Sequence, residues 1–519
     1  MLLGNILRRN AKLYPEKTAI IFEDKKYTYG ELENRIQRLA NGLMARGISR
    51  GDRVGLLEHP CPQYIELYLA IPKIGAVLVP LNCRLSGREL EYIINDAEVK
   101  MLIMGEVFVD VIHSIKSDLT MVNSFFCMGE VASDMNTYES LITGSTAEFP
   151  DTEVVDEDIA VQMYTSGTTG KPKGVMLTHK NLISVYMSRI IDFKLDKHDI
   201  FLSGVPFFHT AAEYALIILY AGGTLIIHSR FDPGRFLDTL EEEKATMTLG
   251  VPSMVNFLVR HMEKNPRDYN FSNLKIFLYG ASPMPVALLR KAIGAFGNCF
   301  LHSYGLTEAS PGVSFLRSED HVLKGQERKV RRLASCGKEI FNVEAKVVNE
   351  RGLDVKPNEM GEIIVKGDNV MKGYWKLPKE TADTIRNGWL HTGDMATVDE
   401  EGYIFIVDRK KDMIISGGEN IYPREVEEVL YMHPSILEAT VIGVPDKEWG
   451  ESVKAFVVLK EGEKVSEDEI IDFCKKDLAS YKKPKSVDFL ETLPRTPVGK
   501  VLKKELREKY WKDLDLGVS

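Results

Sequence analysis

The sequence predicts an α/β protein with a large N-terminal domain of two α/β subdomains plus a small β-rich subdomain, followed by a small α+β C-terminal domain. Three observations carry this expectation. From Thr28 to about Met104 amphipathic helical runs alternate with short apolar runs, and the alternation returns between Thr224 and Ser303. Such alternation marks mostly parallel sheets covered by helices. From about Ser335 to Val407 the helical period gives way to short strands and turns, and the charged break Arg409-Lys410-Lys411-Asp412 then divides residues 1–408 from a compact piece at 409–519.

Within the first stretch, Thr28…Glu31 and Ser86…Glu89 read as capping boxes opening helices, with Arg53–Leu57 and Ala76–Pro80 as buried strands between them. Residues 105–158 are less regular and lead into Tyr164-Thr-Ser-Gly-Thr-Thr-Gly-Lys-Pro-Lys-Gly174. The apolar runs on either side, Ile159–Tyr164 and Gly174–Leu177, read as strands, and helical periodicity starts only after Thr178, a candidate N-cap. A hairpin tip with no helix behind it is therefore expected. Further on, strands Thr224–His228, Thr246–Val251, Leu274–Tyr279 and Cys299–Ser303 alternate with helices Pro233–Lys244, Ser253–Glu263 and Pro285–Phe296. Ligands of such sheets sit beyond the carboxyl ends of strands, where Tyr279-Gly-Ala-Ser282 and His302-Ser-Tyr-Gly-Leu-Thr-Glu308 fall. The C-terminal piece has a helix after Pro423, another capped at Ser466…Glu469, and a basic tail containing Thr496-Pro-Val-Gly-Lys500.

Composition narrows the function. With 519 residues the chain can build two or three domains, and its net charge of -9 argues against nucleic acid as the main partner. Anionic ligands then need locally basic sites. Six scattered cysteines without C-x-x-C or metal spacing point to free thiols in a reducing compartment. No apolar run reaches spanning length; the longest, Tyr214–Ile227, is divided by Gly222-Gly223 into a helix end and a strand. With no signal-peptide core at the N-terminus and no peroxisomal tripeptide at the C-terminus, the cytoplasm is the expected location.

The segment 164–174 is the densest chemistry in the chain. Gly167, Gly170 and Gly174 permit close backbone approach, Thr165, Ser166, Thr168 and Thr169 supply hydroxyls, and Lys173 supplies charge. The natural guest is a polyphosphate. A P-loop of NTPases would need Gly at 165 and Ser or Thr at 172, where this chain has Thr165 and Pro172.

With the motifs that follow it in order, the segment resembles the phosphate loop of the adenylate-forming enzymes, which include the AMP-forming acyl- and aryl-CoA synthetases, and the similarity covers nearly the whole chain. The resemblance implies an acid–thiol ligase: a carboxylate attacks the α-phosphate of ATP, pyrophosphate leaves, and the acyl-adenylate passes to coenzyme A. Residue by residue, it implies that Thr165 and Glu308 hold Mg²⁺ and that Thr307 touches the α-phosphate. It gives the adenine and its surroundings to Gly280, Ala281, Ser282, His302, Ser303, Tyr304 and Gly305, with Tyr304 stacking, and the ribose hydroxyls to Asp394. Arg409 would contact ribose or phosphate. The C-terminal domain would swivel at Lys411, withdrawing Lys500, which orients the carboxylate, and presenting Ser416, Gly417 and Gly418 to the pantetheine arm. His209 would be a wall of the acid pocket, lined also by Ser188, Thr210, Ala211, Gly305 and Ser310.

Each residue has a plainer reading. Glu308 alone is a solvated carboxylate, Tyr304 a core tyrosine, Lys500 a solubilising charge and His209 a core histidine; Thr-Gly-Asp394 is a common turn. Glu213 is expected to point away from an anionic substrate. His302-Ser303 departs from the amide-glycine pair of many relatives, which weakens the carried-over contacts there. The basic stretch 317–332 reads as a solvated loop, with CoA phosphates as the alternative. A medium- or long-chain fatty acid is the leading substrate, with an aromatic or alicyclic acid close behind, in a monomer or homodimer. The alternatives are another acceptor, a carrier protein or an amine, or a non-catalytic nucleotide- or acyl-binding relative.

Overall fold

The structure, a computed structural model, describes residues 1–129, 135–150, 152–165, 172–281, 284–409, 412–416, 419–446, 449–495 and 501–511, with backbone alone at 408, 409 and 420. Among these residues the chain builds a mixed α/β fold with a large N-terminal domain and a small C-terminal one.

Two large sheets organise the N-terminal domain. The first runs through Gly373–Tyr374, Lys173–Thr178, Ile159–Thr165, Val77–Pro80, Arg53–Leu57, Val99–Gly105, Ser124–Met128 and Asn136–Thr137. Its centre is parallel, as the alternation required, and Ile159–Thr165 and Lys173–Thr178 close it as the expected antiparallel hairpin, with Thr165 opposite Lys173. Thr178 caps the next helix in a full capping box with Asn181, and the boxes at Thr28, Ser86 and Ser466 form as read.

The second sheet contains Ile200–Ser203, Thr224–Ile227, Met247–Gly250, Ile276–Gly280 and Phe300–Tyr304, all parallel. It is extended at both edges. The N-terminal hairpin Thr18–Phe22/Lys25–Thr28 joins this sheet, beside Thr224–Ile227, and not the sheet of the strands that follow it. At the other edge Lys338–Glu339, from the stretch assigned to the β-rich subdomain, pairs with Ser314–Leu316. The β-rich subdomain proper is antiparallel and comprises Val343–Val348, Met360–Gly367, Ile385–Arg386, Trp389–Val398 and Ile404–Arg409.

One apolar cluster joins both large sheets through the helices Tyr29–Ala45, Pro62–Lys73, His179–Phe193 and Thr210–Ala221. The last of these is buried on nearly every side and ends at Gly222, whose φ of 90° ends the helix before the strand Thr224–Ile227. A separate sheet follows Arg409: Ile414–Ser416, Glu419–Ile421, Ile436–Asp446, Gly450–Leu459 and Ser486–Phe489 pair only with one another and carry their own core against the helices Pro423–Tyr431 and Glu467–Cys474. Among the described residues no helix is long and apolar enough to cross a membrane, and all six cysteines are free thiols.

Candidate active site

Lys173, Glu308, Tyr304 and Asp394 lie where the hairpin, the end of Phe300–Tyr304 and the strand Trp389–Val398 meet. Their assembly is local in origin. Strand Gly373–Tyr374 adds to the hairpin with Tyr374 opposite Val175. The Tyr374 ring then lies 5.1 Å from Lys173 Nζ, a cation–π contact, while its hydroxyl donates to Glu308 Oε1 at 2.8 Å. One tyrosine thus couples the hairpin's lysine to the carboxylate that follows the strand end. Burial and the Glu308 carboxylate both push the Tyr374 phenol up, so it remains a proton donor. The Glu308 backbone carbonyl accepts the Met371 N–H at 2.8 Å, which fixes the second segment against the first.

Tyr164 anchors the hairpin from below. Its hydroxyl donates to Asp96 Oδ2 at 2.6 Å and accepts from Gln162 Nε2 at 3.0 Å. A Cβ at Gly174 would come 2.7 Å from that amide nitrogen and push the Gln162 side chain off the Tyr164 hydroxyl.

A second centre forms around Tyr304. Its ring is buried, and its hydroxyl donates to Asp394 Oδ2 at 2.7 Å, joining the strand end to the β-rich subdomain. Asp394 follows Gly393, which takes a φ of 72° and donates its N–H to Glu362 at 3.0 Å, so the turn is set by backbone and second-strand contacts. The two glycines of this region are steric necessities. A Cβ on Gly280 would stand 2.3 Å from the Ser303 carbonyl, and one on Gly305 would stand 2.3 Å from that of Pro311. Ala281 continues from Gly280 with a φ of 65°, a strained position at the end of a strand. Thr307 is buried in the one-turn helix Thr307–Ala309.

The remaining expectations divide. Ser303 Oγ accepts from the Tyr214 hydroxyl at 3.2 Å, while His302 stacks on Tyr279 at 4.8 Å with Nδ1 3.3 Å from the Ser335 carbonyl. His209 occupies the N-cap position of the helix Thr210–Ala221, its Nδ1 3.0 Å from Thr210 Oγ1, and Ala211 is buried. Ser188 and Ser310 are engaged by backbone: Ser188 Oγ lies 2.6 Å from the Phe341 carbonyl and Ser310 Oγ 2.9 Å from that of Asn369. Each of these two serines pins a loop. Ser416 is buried, opposite Gly450 and Glu419 in the C-terminal sheet. Ser166, Gly167, Thr168, Thr169, Gly170, Ser282, Lys411, Gly417, Gly418 and Lys500 lie outside the described residues, as does the Arg409 side chain.

Glu213 is fully buried, 3.5 Å from the equally buried Arg189, and burial lifts its carboxyl to about 7 against the guanidinium's opposing pull. The basic stretch 317–332 is exposed along 324–329, as the solvated reading expects, but is tied down at its two ends. Arg317 pairs with Asp192 at 2.6 Å, and Arg332 bridges Asp320 at 2.8 Å and Glu401 at 2.7 Å. Tyr374 and Asp96 had no signal in the sequence, since a tyrosine in a two-residue strand and an aspartate ending a helix carry no period.

The chain is 40% identical over 510 residues to a feruloyl-CoA synthase of Amycolatopsis sp, covering 98% of this chain and 99% of that protein. It is 37% identical over 538 residues to a long-chain-fatty-acid–CoA ligase of Bacillus subtilis strain 168, covering 98% and 94%. Among solved structures, ATP-bound MatB from Rhodopseudomonas palustris superposes with a TM-score of 0.87 at 32% identity, covering 99% of both chains. The model of the AMP-binding enzyme family matches residues 7–375, and that of the AMP-binding enzyme C-terminal domain matches 425–500. The chain belongs to the AMP-binding enzyme family, within the adenylate-forming superfamily of acyl-CoA synthetases.

Proposed function

We propose that this protein is an AMP-forming carboxylic acid–CoA ligase that activates an acid with a large apolar body through an acyl-adenylate and hands it to coenzyme A. The observation that carries the reading is the coupling of Lys173 to Glu308 through Tyr374, beside the Tyr304–Asp394 pair. A cation and a carboxylate held on one aromatic ring at a hairpin's end suit a polyphosphate, and a buried tyrosine on a carboxylate suits a nucleoside.

A carboxylate is a poor electrophile, and attaching AMP supplies a leaving group. In the first half-reaction Lys173 and the hairpin N–H and hydroxyl groups hold the β- and γ-phosphates. Asp394 accepts the ribose hydroxyls, Tyr304 stacks on adenine, and Thr307 donates to the α-phosphate. These groups act as fixed donors facing charge that develops as pyrophosphate departs. Thr165 and Glu308 offer hard oxygen donors of the kind Mg²⁺ takes. When bound, that ion neutralises phosphate charge. Lys500 orients the acid's carboxylate against the α-phosphate.

In the second half-reaction residues 409–519 turn about Lys411 as a separate body, Lys500 leaves, and Ser416, Gly417 and Gly418 form the pantetheine path. A thiol is a capable nucleophile near neutral pH, so no catalytic triad is needed. His209, Thr210, Ala211 and Gly305 wall the acid. The relatives' names cover both an aromatic acid and fatty acids, and an apolar body is common to the two.

Exchange of labelled pyrophosphate into ATP tests the reading. It should require an added carboxylic acid and proceed without CoA. Exchange that ignores the acid, or none with any acid of a broad panel, would contradict it.

A further inference from the structure

A glycine-rich loop does not place its own donors, so the contacts at its two ends decide where they stand. One residue outside every motif serves both ends. Asp96 closes the helix Gly87–Asp96. Its carboxylate Oδ2 accepts the Tyr164 hydroxyl at 2.6 Å, on the strand that enters the loop. Its main-chain carbonyl accepts Trp375 Nε1 at 2.9 Å and Lys376 Nζ at 3.1 Å. The last carbonyls of a helix lack partners within it, and these two donors satisfy one of them.

The carbonyl's contact bears on the site because Trp375 follows Tyr374. The Trp375 N–H donates to the Gly174 carbonyl at 2.7 Å, on the strand that leaves the loop. Strand Gly373–Tyr374 is thereby kept in register on the hairpin, with Tyr374 between Lys173 and Glu308. The indole is held over its face as well. The Arg53 guanidinium lies 4.9 Å from the ring centroid while its Nε donates to the Ala97 carbonyl at 2.7 Å. Lys376 pairs with Glu98 at 2.9 Å. One turn back on the same helix, the Tyr92 hydroxyl lies 3.4 Å from the Pro172 carbonyl. Tyr164, Pro172 and, through Trp375, Gly174 are all tied to this one helix end.

We propose that Asp96 is a positioning residue for adenylation: holding Tyr164 by its carboxylate and Trp375 by its carbonyl, it fixes the spacing between the hairpin and Tyr374 on which Lys173 and Glu308 meet the phosphates of ATP. It touches no reactant. The proposal rests on the reading of the hairpin as the phosphate site given above, and its consequence is selective. The β- and γ-phosphates have left once the acyl-adenylate exists, so a displaced hairpin slows the first half-reaction and spares the second.

The test measures the two half-reactions separately, as acid-dependent exchange of labelled pyrophosphate into ATP and as thioester formation from supplied acyl-adenylate and CoA. Asp96→Ala should lower exchange roughly 10²-fold, the scale on which a misplacement of about 1 Å slows a reaction, with thioester formation close to normal. Tyr164→Phe should give the same pattern. The double substitution should be no worse than the more damaging single one, since both remove one contact. Asn95→Ala removes a bond from the same helix end to the Asp118 carbonyl, 2.9 Å long, and should leave exchange unchanged. Tyr164→Phe nearly conserves volume, so it carries the test if Asp96→Ala fails to fold. Undiminished exchange, equal loss in both half-reactions, or losses that multiply in the double substitution would overturn the proposal while leaving the ligase reading intact. Absence of acid-dependent exchange in the unaltered protein with every acid of a broad panel would remove the ligase reading itself, and the proposal with it.

Discussion

Tyr374 shows how much of this site depends on single side chains that no motif announces. Its ring carries Lys173 and its hydroxyl fixes Glu308. Glu308→Gln keeps an acceptor for that hydroxyl and removes only the charge, so acid-dependent pyrophosphate exchange should fall roughly 10²–10³-fold with little change in melting temperature. An undiminished exchange rate would mean that Glu308 has no part in handling phosphate charge. Titration of the fold is also decided by individual residues. His179, His228, His302 and His321 are each pushed down to about 4, first by burial. Their folded values lie below the unfolded one, so the unfolded chain binds more protons between pH 6.5 and 4. The stability these histidines contribute is present above pH 6.5 and is lost as the pH falls towards 4. Glu58 and Glu213, both raised to about 7 mainly by burial, act oppositely, favouring the fold below pH 4.5 and losing that contribution as the pH rises through 7. His228, bonded to Thr239 Oγ1 at 3.1 Å, lies away from the proposed site. Urea unfolding of His228→Gln should show a smaller stability loss between pH 7.5 and 5 than the unaltered protein; an equal loss would place that histidine's titration outside the folding equilibrium.

At the scale of elements, what the sequence reveals is local. The capping boxes at Thr28, Ser86 and Ser466 and the hairpin about residues 164–174 follow from neighbours within a few positions, and each formed as expected. Sheet membership does not follow that way. Nothing in Thr18–Phe22 states that its partner is Thr224–Ile227, some two hundred positions on, and the two-residue strands Lys338–Glu339 and Gly373–Tyr374 are too short to show a period. The side chain that secures the N-terminal crossing is Tyr29, fully buried, whose hydroxyl lies 3.0 Å from the Leu219 carbonyl and 2.6 Å from that of Gly223. Tyr29→Phe should therefore cost about 1–3 kcal/mol in denaturant unfolding, since it takes this donor from the Gly223 carbonyl, whereas that of Leu219 keeps Asn10 Nδ2 at 3.0 Å. Unchanged stability would show that the Gly223 carbonyl finds another partner. For the proposed site, the sequence singles out Gly280, Gly305, Glu308 and Asp394, because phosphate and nucleoside chemistry restricts the residue types, and the structure gives each a steric or hydrogen-bonded place. The contacts of Ser188 and Ser310 with distant carbonyls are not legible, since these serines are distinguished only by what they meet in three dimensions.

For the whole molecule, the account requires one nucleotide site served in turn by two faces of residues 409–519, whose sheet, among the described residues, shares no strand with the domain before it. The half-reactions should then separate genetically. Lys500→Ala should lower acid-dependent adenylation roughly 10²–10³-fold, the scale of losing one transition-state donor, while thioester formation from supplied acyl-adenylate stays close to normal. Gly418→Leu should do the reverse, sparing pyrophosphate exchange and stopping CoA transfer; equal damage to both steps by either substitution would reject the turning-domain account. The central claim, that the hairpin, the strand end at Tyr304 and Asp394 form a single adenylate site, is tested most directly by a crystal structure with AMP bound. The account predicts the ribose hydroxyls on the Asp394 carboxylate, adenine against Tyr304, and the phosphate between Thr165 and Thr307. AMP bound away from the hairpin, with Asp394 still paired to Tyr304 and untouched by ligand, would contradict it.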